Sequence, residues 1–127
     1  MKKIWMIVLV LAVAIVLIGL YLIIFSCNFK FGYSNKQGCY VEKSIKTNNY
    51  DFCKKSPNPS WCYQDVAIRL EDEDICKRIE HLNFSSTCVT QIAVIKKDET
   101  ICEKIDGPML YGCYVEVLNP DQGVLNS

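Results

Sequence analysis

The chain has few of the residues with which enzymes usually act. It contains a single histidine, His81, and no two cysteines in a C-x-x-C spacing, so it offers neither the usual zinc ligands nor a thioredoxin-like redox centre. A nucleophile elbow and a glycine-rich phosphate loop are also lacking, and the usual catalytic constellations cannot be assembled. We therefore expect no enzymatic activity, no metal and no cofactor.

Charge is missing altogether from Ile4 to Phe25, a run of 22 residues. A helix of that length spans about 33 Å, which is enough to cross a hydrocarbon core of roughly 30 Å. Trp5 and Tyr21 lie near its ends, where amphipathic aromatic side chains prefer to be. A cleaved signal peptide would have an apolar stretch of only about 7–15 residues, followed by a small-residue cleavage site. Residues 1–26 are therefore predicted to form a retained transmembrane anchor.

An excess of positive charge is absent from the rest of the chain. Residues 27–127 carry 12 basic and 14 acidic side chains, a net charge of −2. Domains that bind nucleic acid usually present a basic face, so we expect no nucleic-acid partner.

Cysteine, in contrast, is abundant, with eight in 127 residues. So many cysteines in a short chain are typical of a disulfide framework, and disulfides persist outside the cytosol. Lys2 and Lys3, just before the apolar run, favour a cytoplasmic N-terminus. The chain is predicted to be a single-pass protein of the cell membrane with residues 27–127 on the extracytoplasmic side.

The cysteines mark a repeat. The leading cysteine of each unit is separated from the next by 23, 26 and 25 residues, and in three units a trailing cysteine follows after 14. The leading cysteines are Cys39, Cys62, Cys88 and Cys113, and the trailing ones are Cys53, Cys76 and Cys102. Residues 39–118 are predicted to be a repeat ectodomain, 27–38 a juxtamembrane loop with a partial repeat, and 119–127 a flexible tail.

Each unit is predicted to begin with a helix, because apolar residues follow the leading cysteine at helical spacing. After Asp72 the apolar residues fall on a different face of the helix, and Asp98 repeats this signal. The change favours a helix break followed by a second, short helix. The alternative is one long helix from Ser60 to about His81. The predicted core positions are Tyr63, Val66, Ala67 and Leu70 in one unit and Cys88, Ile92, Ala93 and Ile95 in the next. The predicted loops are Ser56–Ser60, which ends in an N-cap, Leu82–Ser86 and Asp106–Pro108. The fold class is all-α: a transmembrane helix followed by disulfide-stapled helical hairpins in a solenoid-like stack.

Helix geometry limits how the cysteines pair. Fourteen residues of continuous helix would separate the two cysteines of a unit by about 21 Å, whereas a bridge needs Cα atoms about 4.4–6.8 Å apart. A turn between units instead brings a trailing cysteine level with the next leading one. The predicted bridges are Cys27–Cys39, Cys53–Cys62, Cys76–Cys88 and Cys102–Cys113. Acylation of Cys27, in a loose lipobox, is the alternative, and it would leave an odd number of cysteines.

The remaining features each have a structural and a functional interpretation. The acidic run Glu71–Asp74 lacks the glycine of a calcium loop and is expected to stabilise a helix N-terminus. The sequon at Asn83 is a candidate glycosylation site on an expected exposed loop, and His81 is expected to be solvated. A tyrosine after the leading cysteine, at Tyr40, Tyr63 and Tyr114, is either packing or an aromatic stripe for a partner. Small residues that would allow close helix approach are Ser44, Ala67, Ala93 and Gly112.

The pattern Cys-Tyr-x-x-x-Ala-Ile-x-x-x-Asp-x-x-Ile-Cys at Cys62–Cys76, and nearly so at Cys88–Cys102, resembles short cysteine-bearing helical repeats of archaeal exported or membrane-anchored proteins. The resemblance covers residues 39–118 and implies architecture, since such proteins generally have no assigned activity. The expected function is a non-enzymatic interaction or scaffold module for a protein or glycan partner at the outer face of the membrane. The alternatives are an accessory subunit of a larger membrane complex and an extracytoplasmic thiol-disulfide protein.

Overall fold

The computed structural model describes residues 2–30 and 32–120, and this part of the chain is helical and contains no strand. It divides into two compact units, residues 1–36 and 37–127. The α-helices are α1 (Lys2–Phe25), α2 (Tyr33–Thr47), α3 (Pro59–Leu70), α4 (Leu82–Lys96) and α5 (Met109–Leu118). The 3-10 helices are η1 (Cys27–Phe29), η2 (Tyr50–Lys55), η3 (Ile75–Arg78) and η4 (Glu99–Lys104).

Helix α1 is the apolar run of the sequence. Its segment Lys3–Leu22 has a mean hydropathy of 2.9, and no part of that segment is buried within the protein. A helix of 24 residues is about 36 Å long, so α1 is long and apolar enough to cross a membrane. A signal sequence near the N-terminus would have the same length and composition.

The predicted juxtamembrane loop 27–38 is wrong in its second half, because α2 begins at Tyr33. Gly32, at a φ of 89°, makes the turn that precedes the helix. Gly38 lies inside α2, where glycine costs about 1 kcal/mol relative to alanine. Neighbouring Gln37 offsets this cost, since it donates to the backbone oxygen of Asn58 at 3.2 Å. Of the predicted tail 119–127, residues 121–127 lie outside the described part of the chain.

The three complete units share one plan, a long α-helix followed by a short 3-10 helix, so the alternative of one continuous helix per unit is wrong. Each long helix ends at a residue with positive φ, and the next residue accepts a hydrogen bond from the backbone nitrogen two positions on. This side-chain turn is the physical reason for the change of phase in the sequence. The helix-ending residues are Asn48, Glu71 and Lys97, and the accepting ones are Asn49, Asp72 and Asp98.

Two helix starts differ from the predicted positions. Helix α3 is capped by Asn58, whose side chain accepts from the backbone nitrogen of Trp61 at 3.2 Å, and not by Ser60. Pro59 occupies the first helical position, where its missing N–H costs nothing. Helix α4 begins at Leu82, so the predicted loop Leu82–Ser86 is helical.

The core of residues 37–120 lies between successive helices. Helix α3 packs on α4 and α4 on α5, and each of these three helices also contacts the 3-10 helices beside it. Ser44, Ala67 and Ala93 are fully buried, as close helix approach requires. Two predicted core positions are wrong, since Leu70 is 40% and Ile95 46% exposed. Close helix approach at Gly112 is also wrong, because nothing lies within 4 Å of a Cβ built there. Other apolar residues at buried positions are Tyr40, Val41, Tyr63, Val66, Ile75, Ile79, Val89, Ile92, Ile101 and Ile105.

Candidate functional site

Buried disulfides fix the bends between units. Three of the four predicted pairs are present, each with Cα atoms 5.3–5.8 Å apart. Their six sulfur-bearing residues are at most 1% exposed, so a thiol in solution cannot reach them in the folded state. The pairs are Cys53–Cys62, Cys76–Cys88 and Cys102–Cys113. Cys27 and Cys39, the fourth predicted pair, are both disulfide-bonded as well, which excludes acylation of Cys27 in this form of the protein.

A groove of about 520 Å³ opens where the start of α3 faces the start of α4. Its floor is the buried ring of Tyr63, and apolar walls are formed by the two prolines before and at the start of α3 and by Phe84. The lining residues are Lys54, Pro57, Asn58, Pro59, Ser60, Tyr63, Arg78, Glu80, His81 and Phe84.

The α3 wall of the groove is held by a short chain of hydrogen bonds. The Ser56 hydroxyl donates to Gln37 Oε1 at 2.6 Å and lies 3.4 Å from the backbone oxygen of Asn58. Gln37 in turn donates to that same oxygen, and the Asn58 side chain caps α3. Because these bonds join α2, the inter-unit loop and α3, the proline-lined wall has a fixed shape.

The α4 wall is held by the bridge between Cys76 and Cys88 and by one more hydrogen bond. The Ser85 hydroxyl donates to the backbone oxygen of Cys76 at 3.0 Å, which ties the first turn of α4 to η3. His81 and Phe84 therefore stand at fixed positions on the rim, and His81 is exposed, as expected from the sequence. Both walls are preformed, which lowers the entropic cost of binding a ligand in the groove.

The groove contains charges of both signs. Lys54 pairs with Asp51 at 3.0 Å, and Arg78 lies 3.6 Å from the same carboxylate and over the Tyr50 ring. The hydrogen bond from Lys54 is the main reason that the pKa of Asp51 is lowered. These groups are exposed, so the pairs contribute little stability and the two cations remain accessible to an anionic group.

Trp61 and Phe84 form an exposed aromatic pair beside the groove. They are 53% and 41% exposed, and a second, shallower cavity of about 290 Å³ lies between them. Asn83 lines this cavity too, but it lies in the first turn of α4 and not in a loop as predicted. In this turn the Ser85 amide donates to the backbone oxygen of His81, and the Thr87 hydroxyl donates to that of Asn83.

The sequence contained one indication of this aromatic pair that periodicity does not detect. Trp61 immediately precedes a leading cysteine, where the other units have Gly38, Thr87 and Gly112. A tryptophan at an otherwise small position, exposed to solvent, has no role in the core. Such exposed aromatic side chains are enriched at the centres of binding interfaces.

The tyrosines that follow the leading cysteines are packing residues in the first two units. Tyr40 is 5% and Tyr63 3% exposed, and Tyr114 is half-buried. An aromatic stripe for a partner is therefore not formed by these three residues.

The acidic run after α3 serves structural roles. Glu71 ends α3, Asp72 makes the side-chain turn, and Asp74 pairs with Lys77 at 2.6 Å. Glu73 accepts from Lys104 Nζ at 2.6 Å and from Lys96 Nζ at 3.3 Å. It thereby ties the bend of one unit to both helices of the next.

These two lysines, with the hydrogen bond from Lys104 as the largest cause, lower the pKa of Glu73 from 4.5 to about 2. We expect Glu73→Gln to lower the free energy of unfolding at neutral pH by about 1–2 kcal/mol, less than the pKa shift alone implies, because both lysines are more than a third exposed. A depressed carboxyl pKa stabilises the fold above the unfolded value of 4.5, and this contribution is lost as the pH falls towards about 2.

Urea denaturation of the wild type and of Glu73→Gln between pH 7 and pH 2 measures this effect. The difference between the two proteins should be constant above about pH 5.5 and should shrink below it. Glu103→Gln, at an exposed position, is the matched control and should change stability by less than about 0.5 kcal/mol. A difference that persists undiminished at the acid end would contradict the ion pairs as its source.

The described residues thus form a groove with an exposed aromatic pair beside it. Across residues 2–30 and 32–120, no group of three or more His, Cys, Asp or Glu side chains is placed to hold a metal ion. Comparison of the chain with protein-family models, with curated proteins and with solved structures finds no match.

Proposed function

We propose that the protein is a membrane-anchored, non-enzymatic interaction module whose residues 37–120 lie outside the cytoplasm. The observation that carries the proposal is the exposure of α1. Each of its large apolar side chains from Ile4 to Leu22 is 49–75% exposed, and no part of Lys3–Leu22 is buried. An apolar surface of that size is not stable in water, whereas a bilayer provides the surroundings it requires.

The disulfides support an extracytoplasmic position for the second unit. Reducing compartments keep thiols from pairing, and a chain with every described cysteine in a bridge fits an oxidising space. The thiol-disulfide alternative is disfavoured because the six cysteines of the three inter-unit bridges are at most 1% exposed. A redox-active pair needs an accessible thiolate.

The groove and the aromatic pair Trp61 and Phe84 are the surface that we assign to a protein or glycan partner. Aromatic side chains bury a large area at low entropic cost, and both walls beside them are already fixed. Lys54 and Arg78 supply cationic groups at the rim for a partner's carboxylate or hydroxyls. The hairpin units act as the rigid support that holds this surface at a fixed place on the domain.

Membrane fractionation and impermeant thiol chemistry test the anchor and its orientation. The wild type should stay in carbonate-washed membranes, while Leu11→Arg with Val16→Arg should be released, because each arginine costs about 2.5–3.5 kcal/mol at the centre of a span. Ile95→Arg, an exposed position on α4, is the control and should stay membrane-bound. On intact cells, an impermeant maleimide should label an Ile95→Cys variant, whose new thiol is at a position 46% exposed, and should not label the wild type.

Two outcomes would contradict the proposal. A mature N-terminus that begins after α1 would identify a cleaved signal sequence. Labelling that requires permeabilised cells would place the disulfide-bonded domain in the cytoplasm.

Photo-crosslinking in native membranes tests the interaction surface. With p-benzoylphenylalanine in place of Trp61 or Phe84, we expect a discrete adduct on the full-length chain. The same group in place of Ile95, which is similarly exposed at 46% but lies away from the groove, should give at least fivefold less. Equal adduct yields at the three positions would mean that the aromatic pair is not a specific binding surface.

A further inference from the structure

The first turn of α4 contains a motif for covalent modification. Residues 83–85 have the sequence Asn-Phe-Ser, in which a hydroxyl follows the asparagine after two positions. Oligosaccharyl transferases attach a glycan to asparagine in this context, provided that the middle residue is not proline. Residues 58–60, Asn-Pro-Ser, have the same spacing, but their proline excludes them. Asn83 is therefore the candidate acceptor, and Asn58 is an internal negative control.

The folded chain leaves the side chain of Asn83 available to carry a glycan. Asn83 is exposed, and its side-chain amide makes no hydrogen bond within the described residues, whereas its backbone oxygen accepts from the Thr87 hydroxyl. The Asn58 side chain, in contrast, caps α3. Two open cavities, of about 290 and 430 Å³, adjoin Asn83, and the larger groove of about 520 Å³ is lined by other residues. A glycan on Asn83 thus has space beside Trp61 and Phe84 and leaves the groove open.

The hydroxyl that completes the motif is not available in the folded chain. Ser85 is half-buried, and its hydroxyl donates to the backbone oxygen of Cys76 at 3.0 Å. A serine hydroxyl has one proton to donate, so this contact uses it. The Ser85 amide is also engaged, since it donates to the backbone oxygen of His81. A transferase that recognises Ser85 must therefore act before the first turn of α4 docks on η3.

The order of residues along the chain allows such an early step. With a cytoplasmic N-terminus, residues 27–127 cross the membrane from residue 27 onwards, so Asn83 arrives five positions ahead of Cys88. Until Cys88 is present, the bridge to Cys76 that holds α4 beside η3 cannot close. In this respect the inference rests on the proposed extracytoplasmic position of the domain.

We propose that Asn83 receives an N-linked glycan before the bridge between Cys76 and Cys88 closes. The donor is an oligosaccharide bound to a polyprenyl phosphate of the membrane. The bond between C1 of the first sugar and the phosphate oxygen breaks, and a bond forms between that carbon and Asn83 Nδ2. The phosphate leaves with the electron pair, and one amide proton passes to a base of the transferase. No oxidant or reductant is consumed.

Mass spectrometry of the chain from the cells that naturally produce it tests the acceptor. After reduction, alkylation and trypsin digestion, the peptide of residues 79–96 should carry added sugar mass on Asn83, and the peptide of residues 56–69, with Asn58, should be unmodified. In the same cells, Asn83→Gln and Ser85→Ala should abolish the addition, whereas Ser85→Thr, which keeps a hydroxyl, should retain it. An unmodified wild-type peptide, or the same addition in Asn83→Gln, would overturn the inference.

A transfer assay tests the order of the two steps. The full chain is made by cell-free synthesis in detergent, and its reduced and oxidised forms are incubated with membranes of those cells, which supply transferase and donor. The oxidised form should be modified at least about tenfold less, because the Ser85 hydroxyl is then engaged. A free peptide of residues 79–87 contains no cysteine and should be modified equally in both buffers. Equal modification of the two forms of the chain would overturn the proposed order.

Labelling of Ile95→Cys on intact cells reports the position of the domain separately from the glycan. A labelled Ile95→Cys together with an unmodified Asn83 would overturn this inference and leave the proposed function intact. An unlabelled Ile95→Cys together with an unmodified Asn83 would overturn both. Failure of the inference is therefore distinguishable from failure of the proposed function.

Discussion

Replacing Cys76 and Cys88 together with alanine is expected to lower the free energy of unfolding by about 3 kcal/mol. The bridge closes a loop with a sequence separation of 12, and the chain-entropy model assigns about that value to a loop of this size. Alanine is preferred to serine here because both sites are fully buried and a hydroxyl would lack a partner. Units of about 25 residues bury too little apolar surface to compensate for such a loss.

Urea denaturation of the full chain in mild detergent, under oxidising conditions, measures the effect as a lower midpoint. The corresponding alanine pairs at the other two bridges close loops with separations of 9 and 11. Loop-closure entropy alone predicts that the three double variants differ by only about 0.3 kcal/mol. A spread above about 1 kcal/mol would show that local packing around the sulfurs decides the effect. An unchanged midpoint for any pair would contradict a structural role for that bridge.

The three inter-unit bridges could be predicted from the sequence because two strong constraints act on the same residues. The rise of a helix places Cys62 and Cys76 too far apart to form a bridge. A loop that contains proline or glycine follows Cys53 and Cys102, and the chain reverses its direction there. The second, short helix was predictable for a similar reason. Asp72 and Asp98 make a local side-chain turn, and such a turn depends on residues within two positions.

The starts of α2 and α4 could not be predicted, because side-chain contacts with other parts of the chain decide them. Nothing near Leu82 specifies a helix, yet the Ser85 hydroxyl reaches the backbone oxygen of Cys76 and draws the first turn of α4 against η3. Gly38 similarly favours a loop, and Gln37 keeps it helical through a bond to the loop before α3. Local propensity is a weak preference that one or two tertiary hydrogen bonds can override.

The groove and the Glu73 ion pairs were missed for a related reason. Phe84 and Pro57 line one cavity although 27 positions separate them in the sequence, and Glu73 meets Lys104 31 positions away. Their proximity follows from how far one unit is rotated against the next, which the period of the repeat does not specify. The sequence indicates only Trp61 of this surface, because the other units have a small residue at that position.

Truncation of Ile92 is the second change for which we expect a large effect. Ile92 is fully buried on α4, and Ile92→Ala should lower the free energy of unfolding by about 3 kcal/mol through lost burial and the cavity that remains. Ile95 lies three residues further along the same helix and is 46% exposed, so Ile95→Ala should cost less than about 1 kcal/mol. Both substitutions remove the same atoms from the same helix, so helix propensity cancels from the comparison.

This pair of variants separates the observed orientation of α4 from the predicted one. Hydrophobic spacing alone placed Ile92 and Ile95 in one core stripe, and in that orientation both substitutions would destabilise the protein to a similar extent. The structure instead turns Ile95 to solvent. Urea midpoints of the two alanine variants, measured side by side with unchanged slopes, therefore report which side of α4 faces its neighbours. Equal losses would mean that α4 is rotated, and with it the wall of the groove that Phe84 forms.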